Sequence, residues 1–549
     1  MRLTNRLRVV GLIIFLFTLP GYSQGPVSKS DAEKWREDLA YMAEQMPLKH
    51  KNLFHSMRRE QFDSAVNDLD EKIATMSREQ IIVGMAKIVA MVGDGHTNIA
   101  PTRDPKIGFH SLPIKFYFFK NGLYVRAAAK EYAGLVGARV LYISGVPIDA
   151  AYQSVSTIIG RDNDMDVKYF AAQLLAMPEI LYALKLSSDP QKATLVVQVG
   201  RVQKTVRLES NGPAELIPPD TDTTWMPTEG WVDARDAARS PIPLWLKDPL
   251  NKYWFEYLKD SKTLYLQLNQ VGNKDDETLE AFCKRLFAFV DANAVEQFVL
   301  DLRLNRGGNG SLNKPLLLGI IKSKIDQRGK LFTIVGRSTW SAAQFLVNDL
   351  ERYTNTIFVG EPTGGKVNSY GDSSKIVLPN SGITVRVSSL WWQQDERDMR
   401  QWTAPEIAAN LTFDAYRNNI DPAMKAILNY EPTRSLADIL ADALPNGRAV
   451  NEQFRTWKND PLNEYQDSEP VLNDLGYRLL GGKKVGDAIT IFRMNAEEHP
   501  ESANVFDSLA EAYLAANDRA RAIVNYERAL ALDPKLESAV EALKKLREQ

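Results

Sequence analysis

Phe298-Val299-Leu300-Asp301-Leu302-Arg303, Asn305-Arg306-Gly307-Gly308-Asn309, Ser338-Thr339-Trp340-Ser341-Ala342-Ala343 and Val359-Gly360-Glu361-Pro362-Thr363-Gly364-Gly365-Lys366 follow one another between Gln297 and Asp372. Their periodicity reads strand, glycine turn, helix, strand, helix, strand, glycine turn. Short apolar runs that end in Gly-rich turns put backbone N–H groups at strand ends, where a developing oxyanion can be held. A serine opens the helix after one of those strands. The layout suits acyl transfer, and the alternation of strands with helices predicts an α/β core with a parallel sheet.

Around this stretch the pattern closes into a unit over residues 251–430. A hairpin is expected over 254–258 and 263–268, then a helix from about 277 to 290. A second hairpin is expected over 375–378 and 383–387, about Pro379-Asn380-Ser381-Gly382, and it leads into Leu390-Trp391-Trp392. Residues 211–250 carry seven prolines with little periodicity and read as a linker or extended arm. Residues 104–210 alternate as short strands, at 114–119, 123–127, 139–143, 193–199 and 203–208. Within them Ala133-Gly134-Leu135-Val136-Gly137-Ala138-Arg139-Val140-Leu141-Tyr142-Ile143-Ser144-Gly145 resembles a turn and strand of PDZ domains. That resemblance implies a sheet edge able to take an extended peptide as an added strand.

Residues 28–98 read as a small helical domain. Ser30 with Glu33, and Ser77 with Gln80, have the spacing of capping boxes. Trp35, Leu39, Met42 and Met46 make one apolar face, and Phe62, Val66, Leu69 and Ile73 another. The domain ends at Val92-Gly93-Asp94-Gly95-His96-Thr97. At the other end, after a linker over 431–468, residues 469–549 repeat with a 34-residue period. Leu475 matches Leu509, Ala488 matches Ala522, Phe492 matches Tyr526 and Pro500 matches Pro534, the pattern of tetratricopeptide repeats. Two repeats are fewer than usually stand alone, so the module is expected to dock on the core or to receive a partner protein.

A chain of 549 residues is long enough for several cores. Its 44% apolar and 25% charged content is that of a globular protein. A net charge of −2 gives no electrostatic basis for nucleic acid or anionic membrane as partner. The single cysteine, Cys283, rules out an intrachain disulfide framework and a Cys-rich zinc site. It lies in an apolar helical pattern with Phe282, Leu286 and Phe289, which points to packing. Residues 1–24 have the order of a secretory signal: Arg2, Arg6 and Arg8, an apolar run over 9–19, then Pro20 and Gly21-Tyr22-Ser23. The run is short for a membrane span. The expectation is export to the periplasm or the extracellular space, with no stable membrane insertion once the signal is removed.

Ser341 is the leading nucleophile. A helix N-terminus stabilises negative charge there, and the amide of Ala342 is placed to donate to an oxyanion. The plainer reading is an N-cap serine. His96, one of five histidines, can take a serine proton near neutral pH. Lys366, at the next glycine turn, can do so only if burial depresses its pKa. Gly307 and Gly308 offer a second oxyanion donor, or simply a tight turn. Asp301 and Arg303 read as an internal ion pair.

Asp94-Gly95-His96-Thr97, Leu300-Asp301-Leu302-Arg303-Leu304-Asn305-Arg306-Gly307-Gly308, Ser341-Ala342-Ala343-Gln344 and Gly360-Glu361-Pro362-Thr363-Gly364-Gly365-Lys366, in this order, resemble the tail-specific, or C-terminal processing, serine peptidases and the core of tricorn protease. The resemblance implies a crotonase/ClpP-like α/β core that cleaves polypeptide substrates without metal or cofactor. It places the oxyanion donors on Ala342 and on Gly307 or Gly308. One branch uses a Ser–Lys dyad, and Lys366 falls at the matching place. The tricorn branch uses a histidine, and His96 falls there, although Gly95 stands where tricorn carries a serine. The form of the glycine turn favours His96. For the orienting acid the nearest candidate is Asp398, with Glu361 and Glu406 behind it. Two rival readings remain: a decayed peptidase fold that binds peptides or partner proteins, and, from fold analogy alone, an acyl-CoA enzyme.

Overall fold

Side chains alternate across a strand, so an apolar strand buried on both sides must feed two cores. Strands Thr263–Leu268, Gln297–Asp301, Leu331–Val335, Ile357–Gly360 and Ile407–Ala408 do this in a computed structural model of the chain, which describes residues 25–548 apart from 217, 219 and 433. They pair in parallel in that order, and Tyr253–Leu258 closes one edge antiparallel to Thr263–Leu268. Leu264, Leu266, Phe298, Leu300 and Leu331 face helices Leu279–Ala292, Lys314–Lys322 and Ala342–Tyr353. Tyr265, Val299, Phe332, Ile334 and Val359 face the opposite way, onto helix Pro422–Leu428. At the mouth of this sheet Arg303 bridges Asp301 and Asp421, 2.9 Å from each. Cys283 is buried in the helical layer, and burial pushes its thiol up to about 12, as befits a packing residue.

The first half is organised differently from the two separate domains that the sequence suggests. Helices Lys29–Lys49, Arg59–Lys72 and Arg78–Ala90 share one continuous apolar core with a sheet ordered Ile114–Phe119, Gly122–Ala129, Arg139–Ile143, Lys192–Val199, Val202–Glu209. The same core takes Ile376, Val385 and Val387 from the long hairpin Ser369–Val377/Thr384–Trp392 of the second half. Asp38 accepts the amide N–H groups of Asn380 and Ser381 at the tip of that hairpin, at 2.8 and 2.9 Å. The halves are therefore laced together, because burying the hairpin's apolar face needs the N-terminal helices.

Three local expectations change. Ser28, not Ser30, caps the first helix, accepting from the amide of Asp31, whereas Ser77 and Gln80 do form a reciprocal capping box. The proline-rich segment 211–250 is an integrated arm. Trp231–Asp233 pairs with Gly122–Ala129, and Trp225 and Trp245 are buried with Tyr117 and Tyr416. Residues 431–468 are not a bare linker either, since Leu436–Ala443 and Gly447–Asn459 are helices whose Leu440, Val450 and Phe454 join the C-terminal core. That core continues through Ser468–Gly481, Val485–Glu498, Ala503–Ala515, Arg519–Leu532 and Glu537–Glu548, consecutive helices packing on one another. The expected leader, residues 1–24, lies outside the described residues. Among the described residues no helix is long and apolar enough to cross a membrane.

Candidate active site

Strand Leu331–Val335 hands the chain through a buried turn to helix Ala342–Tyr353, and Ser341 sits at the junction. Its backbone, φ 54° and ψ −124°, is one that side-chain-bearing residues rarely adopt, a conformation that costs about 1–3 kcal/mol and persists only where surroundings enforce it. The hydroxyl makes no capping bond to its own helix. Its Oγ lies instead 3.2 Å from Nε2 of His96, so an ordinary N-cap does not describe it. The approach of the glycine turn explains the geometry. A Cβ on Gly307 (φ +108°) would lie 2.7 Å from the Ser341 Cβ and 3.0 Å from the Ala342 nitrogen. Gly307 donates its N–H to Asn305 Oδ1 at 2.9 Å, so it has none left for an oxyanion. Gly308 and Ala342 have amides with no acceptor among the described residues, and both line one cleft of about 820 Å³ with Ser341 and His96.

The spacing Asp94-x-His96-Thr97 has a local cause. The Asp94 carboxylate accepts the amides of His96 (3.0 Å) and Thr97 (2.8 Å), the Ser388 hydroxyl (2.6 Å) and His50 Nε2 (2.9 Å). Burial alone would raise this carboxyl. The hydrogen bonds from His50 and Ser388 outweigh it and hold Asp94 well below the usual carboxylate range. Ser373 Oγ donates to the His96 carbonyl at 2.8 Å, and the imidazole stacks on Trp340 with centroids 3.8 Å apart at 20°. Nδ1 of His96 is buried without a partner. Burial lowers the ring to about 4, against the pull of Asp94 and Asp372. Gly95 is bare for a packing reason, since a Cβ would fall 2.9 Å from the Trp340 ring and 3.2 Å from Asp166 Oδ2. A serine at that place would not fit.

The neutral ring is the form that can accept a proton, and it is lost as pH falls through its pKa. Titration of the His96 ring by itself is therefore expected to set an acid limb near pH 4, not near the about 6.5 of a free imidazole. The rate of labelling by a fluorophosphonate as a function of pH, on protein shown to be folded by circular dichroism, checks this.

The other expected groups do not converge here. Lys366 is half-buried beyond the glycine turn, with no hydrogen bond or ion pair among the described residues, and it does not line the cleft. Asp398 is held by Arg400, Oδ1 at 3.0 Å and Oδ2 at 2.6 Å from it, and Arg400 also clasps Glu351. Glu361 is paired with Arg337 at 2.9 Å and Glu406 with Arg328. An arginine thus holds each of the three carboxylates away from the imidazole. Asp398→Ala is accordingly expected to leave the labelling rate within about threefold of wild type, as for a surface substitution. Three carboxylates line the cleft, Asp220, Asp349 and Asp372, and of these Asp372 (φ 53°) is the one that pulls on the imidazole; its Oδ2 accepts the indole N–H of Trp392 at 2.6 Å.

Two groups went unread in the sequence. Asp162 accepts the Gly95 amide at 3.0 Å and the Trp340 indole N–H at 2.8 Å. Arg306 is buried over Tyr169, Phe170 and Trp340 and pairs with Asp166 at 3.3 Å. The signal available was Trp340 itself, a large indole N–H donor beside Ser341 that must find an acceptor when buried.

His50, His55 and Asp94 bring three potential metal donors within 4.8 Å. Nδ1 of His50, however, accepts the Asn52 amide at 2.9 Å, which places its one ring proton on Nε2 towards Asp94. A metal on Nε2 would leave that imidazole without either proton, whereas a liganding histidine normally keeps one. The trio fits a hydrogen-bond network better than a metal centre.

No protein-family model matches the chain, and no curated protein does. Among solved structures the chain is similar to mature CPAF complexed with lactacystin, at 12% identity over 73% of this chain and 99% of that one, with a TM-score of 0.48. It is also similar to the photosystem II D1 C-terminal processing protease, at 13% identity over 70% and 93% of the two chains, TM-score 0.31. Tricorn protease matches at 13% identity over 72% of this chain and 36% of its own, TM-score 0.33.

Proposed function

We propose that the protein is a serine-type peptidase that hydrolyses peptide bonds of polypeptide substrates. The observation that carries this is the strained Ser341 with its Oγ 3.2 Å from His96 Nε2, in one cleft with the unengaged amides of Ala342 and Gly308. In this reading Ser341 attacks the scissile carbonyl and His96 takes its proton. The two amides hold the oxyanion, and the imidazolium then protonates the leaving amine. The four ordered motifs shared with the tail-specific and tricorn-type peptidases support the same reading, with His96 rather than Lys366 as base and a crotonase/ClpP-like core.

The surrounding modules are assigned in the same spirit. The β sheet is read as PDZ-like: strand Ile114–Phe119 lies at a sheet edge, and a cavity of about 480 Å³ opens between it and Ala172, Ala176 and Met177, room for an extended peptide end. The C-terminal helices are read as tetratricopeptide repeats that receive a partner protein, supported by the 34-residue offset of buried Ala488 and Phe492 from Ala522 and Tyr526. Export, to periplasm or exterior, follows from the leader-like residues 1–24.

One observation favours a second reading, a non-catalytic scaffold on the same fold: among the described residues no carboxylate reaches His96 Nδ1. The deciding experiment is fluorophosphonate labelling followed by mass spectrometry of products from a defined peptide library, with Ser341→Ala as control. Labelling and cleavage lost in the control support the peptidase. Folded wild-type protein that neither labels nor cleaves supports the scaffold.

A further inference from the structure

An imidazole that abstracts a proton must be held in orientation, usually by a hydrogen bond from its second nitrogen to a carboxylate. Here that nitrogen is buried and unpartnered. The ring is held instead by its face, against Trp340, and Trp340 is only 4% exposed. What fixes the indole is its N–H, donated to Asp162 Oδ2 at 2.8 Å. The other oxygen of the same carboxylate takes the amide of Gly95 at 3.0 Å, the residue before His96. Trp340 in turn is the residue before Ser341. One carboxylate, itself 4% exposed, therefore grips both segments that carry the reacting atoms.

We propose that Asp162 is the positioning carboxylate of this site, holding the His96 ring against Ser341 through the Trp340 indole and the Gly95 amide in place of a carboxylate on Nδ1. The assignment rests on the peptidase reading for its purpose, though not for its geometry. Asp162 stands between helices Ile148–Ser156 and Asp164–Leu174, so the first half of the chain supplies it. Next to it Asn163 caps the second helix and donates to the carbonyls of Thr363 (3.1 Å) and Gln401 (2.8 Å), which anchors the segment to the core from a third side. Gly95 leaves no room for the carboxylate to swing, since a Cβ there would lie 3.3 Å from Asp162 Cγ. The charged groups around Asp162 are Asp166, Asp94 and Lys366. Burial and Asp166 push its carboxyl up to about 7, against the Gly95 hydrogen bond.

The test uses the full chain and two readouts, at about pH 8.5, where Asp162 is ionised. The first is the second-order rate of fluorophosphonate labelling at Ser341. Asp162→Asn cannot accept both N–H groups, and Trp340→Phe keeps the stacking face but loses the donor. Each is expected to slow labelling by at least about tenfold, as small misplacements of reacting groups do. If Asp162 works through His96, the loss must vanish in a background without the ring, so Asp162→Asn/His96→Ala should label no more slowly than His96→Ala. The second readout does not depend on activity. Carbethoxylation of His96 by diethyl pyrocarbonate, followed by peptide mass mapping, is expected to run at least about threefold faster in Asp162→Asn as local protection is lost.

Labelling of Asp162→Asn within threefold of wild type, or a loss fully additive with His96→Ala, overturns the proposal. So does the non-additive loss appearing in Asp372→Asn in place of Asp162→Asn. If Asp162→Asn fails to fold, Trp340→Phe carries the same comparison. Wild-type protein that never labels counts against the peptidase reading, and faster carbethoxylation in Asp162→Asn would still uphold the positioning role.

Discussion

Ser341→Ala is expected to abolish fluorophosphonate labelling and to lower peptide hydrolysis by about 10⁴–10⁶-fold, the scale on which loss of a serine nucleophile removes a coupled catalytic set. The substitution deletes only Oγ, whose hydrogen-bond partner among the described residues is His96. Alanine keeps the same unfavourable backbone at φ 54°, so the fold carries the same strain in both proteins. The melting temperature should accordingly change by no more than about 3 °C, within the range of a mutation worth under about 1 kcal/mol. Rate and stability separate cleanly in this variant, which makes it a test of chemistry. Residual labelling at another serine, with hydrolysis retained, would place the nucleophile elsewhere.

His96→Ala is expected to lower kcat by at least about a hundredfold, the usual cost of losing a general base. Lys366→Ala should stay within about threefold of wild type, as for residues outside the reacting set. The reason is reach: His96 Nε2 is within hydrogen-bond distance of the hydroxyl, whereas no contact joins Lys366 to it and its ammonium does not line the cleft. Exogenous imidazole should restore part of the rate to His96→Ala, because removing the ring leaves a space beside Trp340. The reverse pattern, an inactive Lys366→Ala with a near-normal His96→Ala, would falsify the assignment of the base.

The parts of this arrangement that depend on local pattern could be read from the chain alone. Strand Lys192–Val199 follows from alternation, and the parallel core from apolar runs bounded by glycine turns. The pairing of Asp301 with Arg303 was legible because both lie on one strand end. The choice between Gly307 and Gly308 was not, since it turns on which amide Asn305 captures. Asp398 looked like an orienting acid by distance along the chain, but Arg400, two residues on, and Glu351 fix its side chain elsewhere. Asp162 was invisible for the converse reason. In Arg161-Asp162-Asn163-Asp164 it resembles the polar start of a helix, and nothing local says that an indole 178 residues away will claim it.

The hydroxyl and the imidazole that meet at the cleft are 245 positions apart in the chain, with the base first. The hairpin that braces the base loop comes later still, ending at Trp392. A ribosome adding about 5–20 residues per second needs tens of seconds to cover that interval. Throughout it the nascent polypeptide carries a lone histidine loop and no attacking group. Synthesis order thus acts as a delay timer: the imidazole waits without its hydroxyl partner until Ser341, and then the hairpin ending at Trp392, have been made.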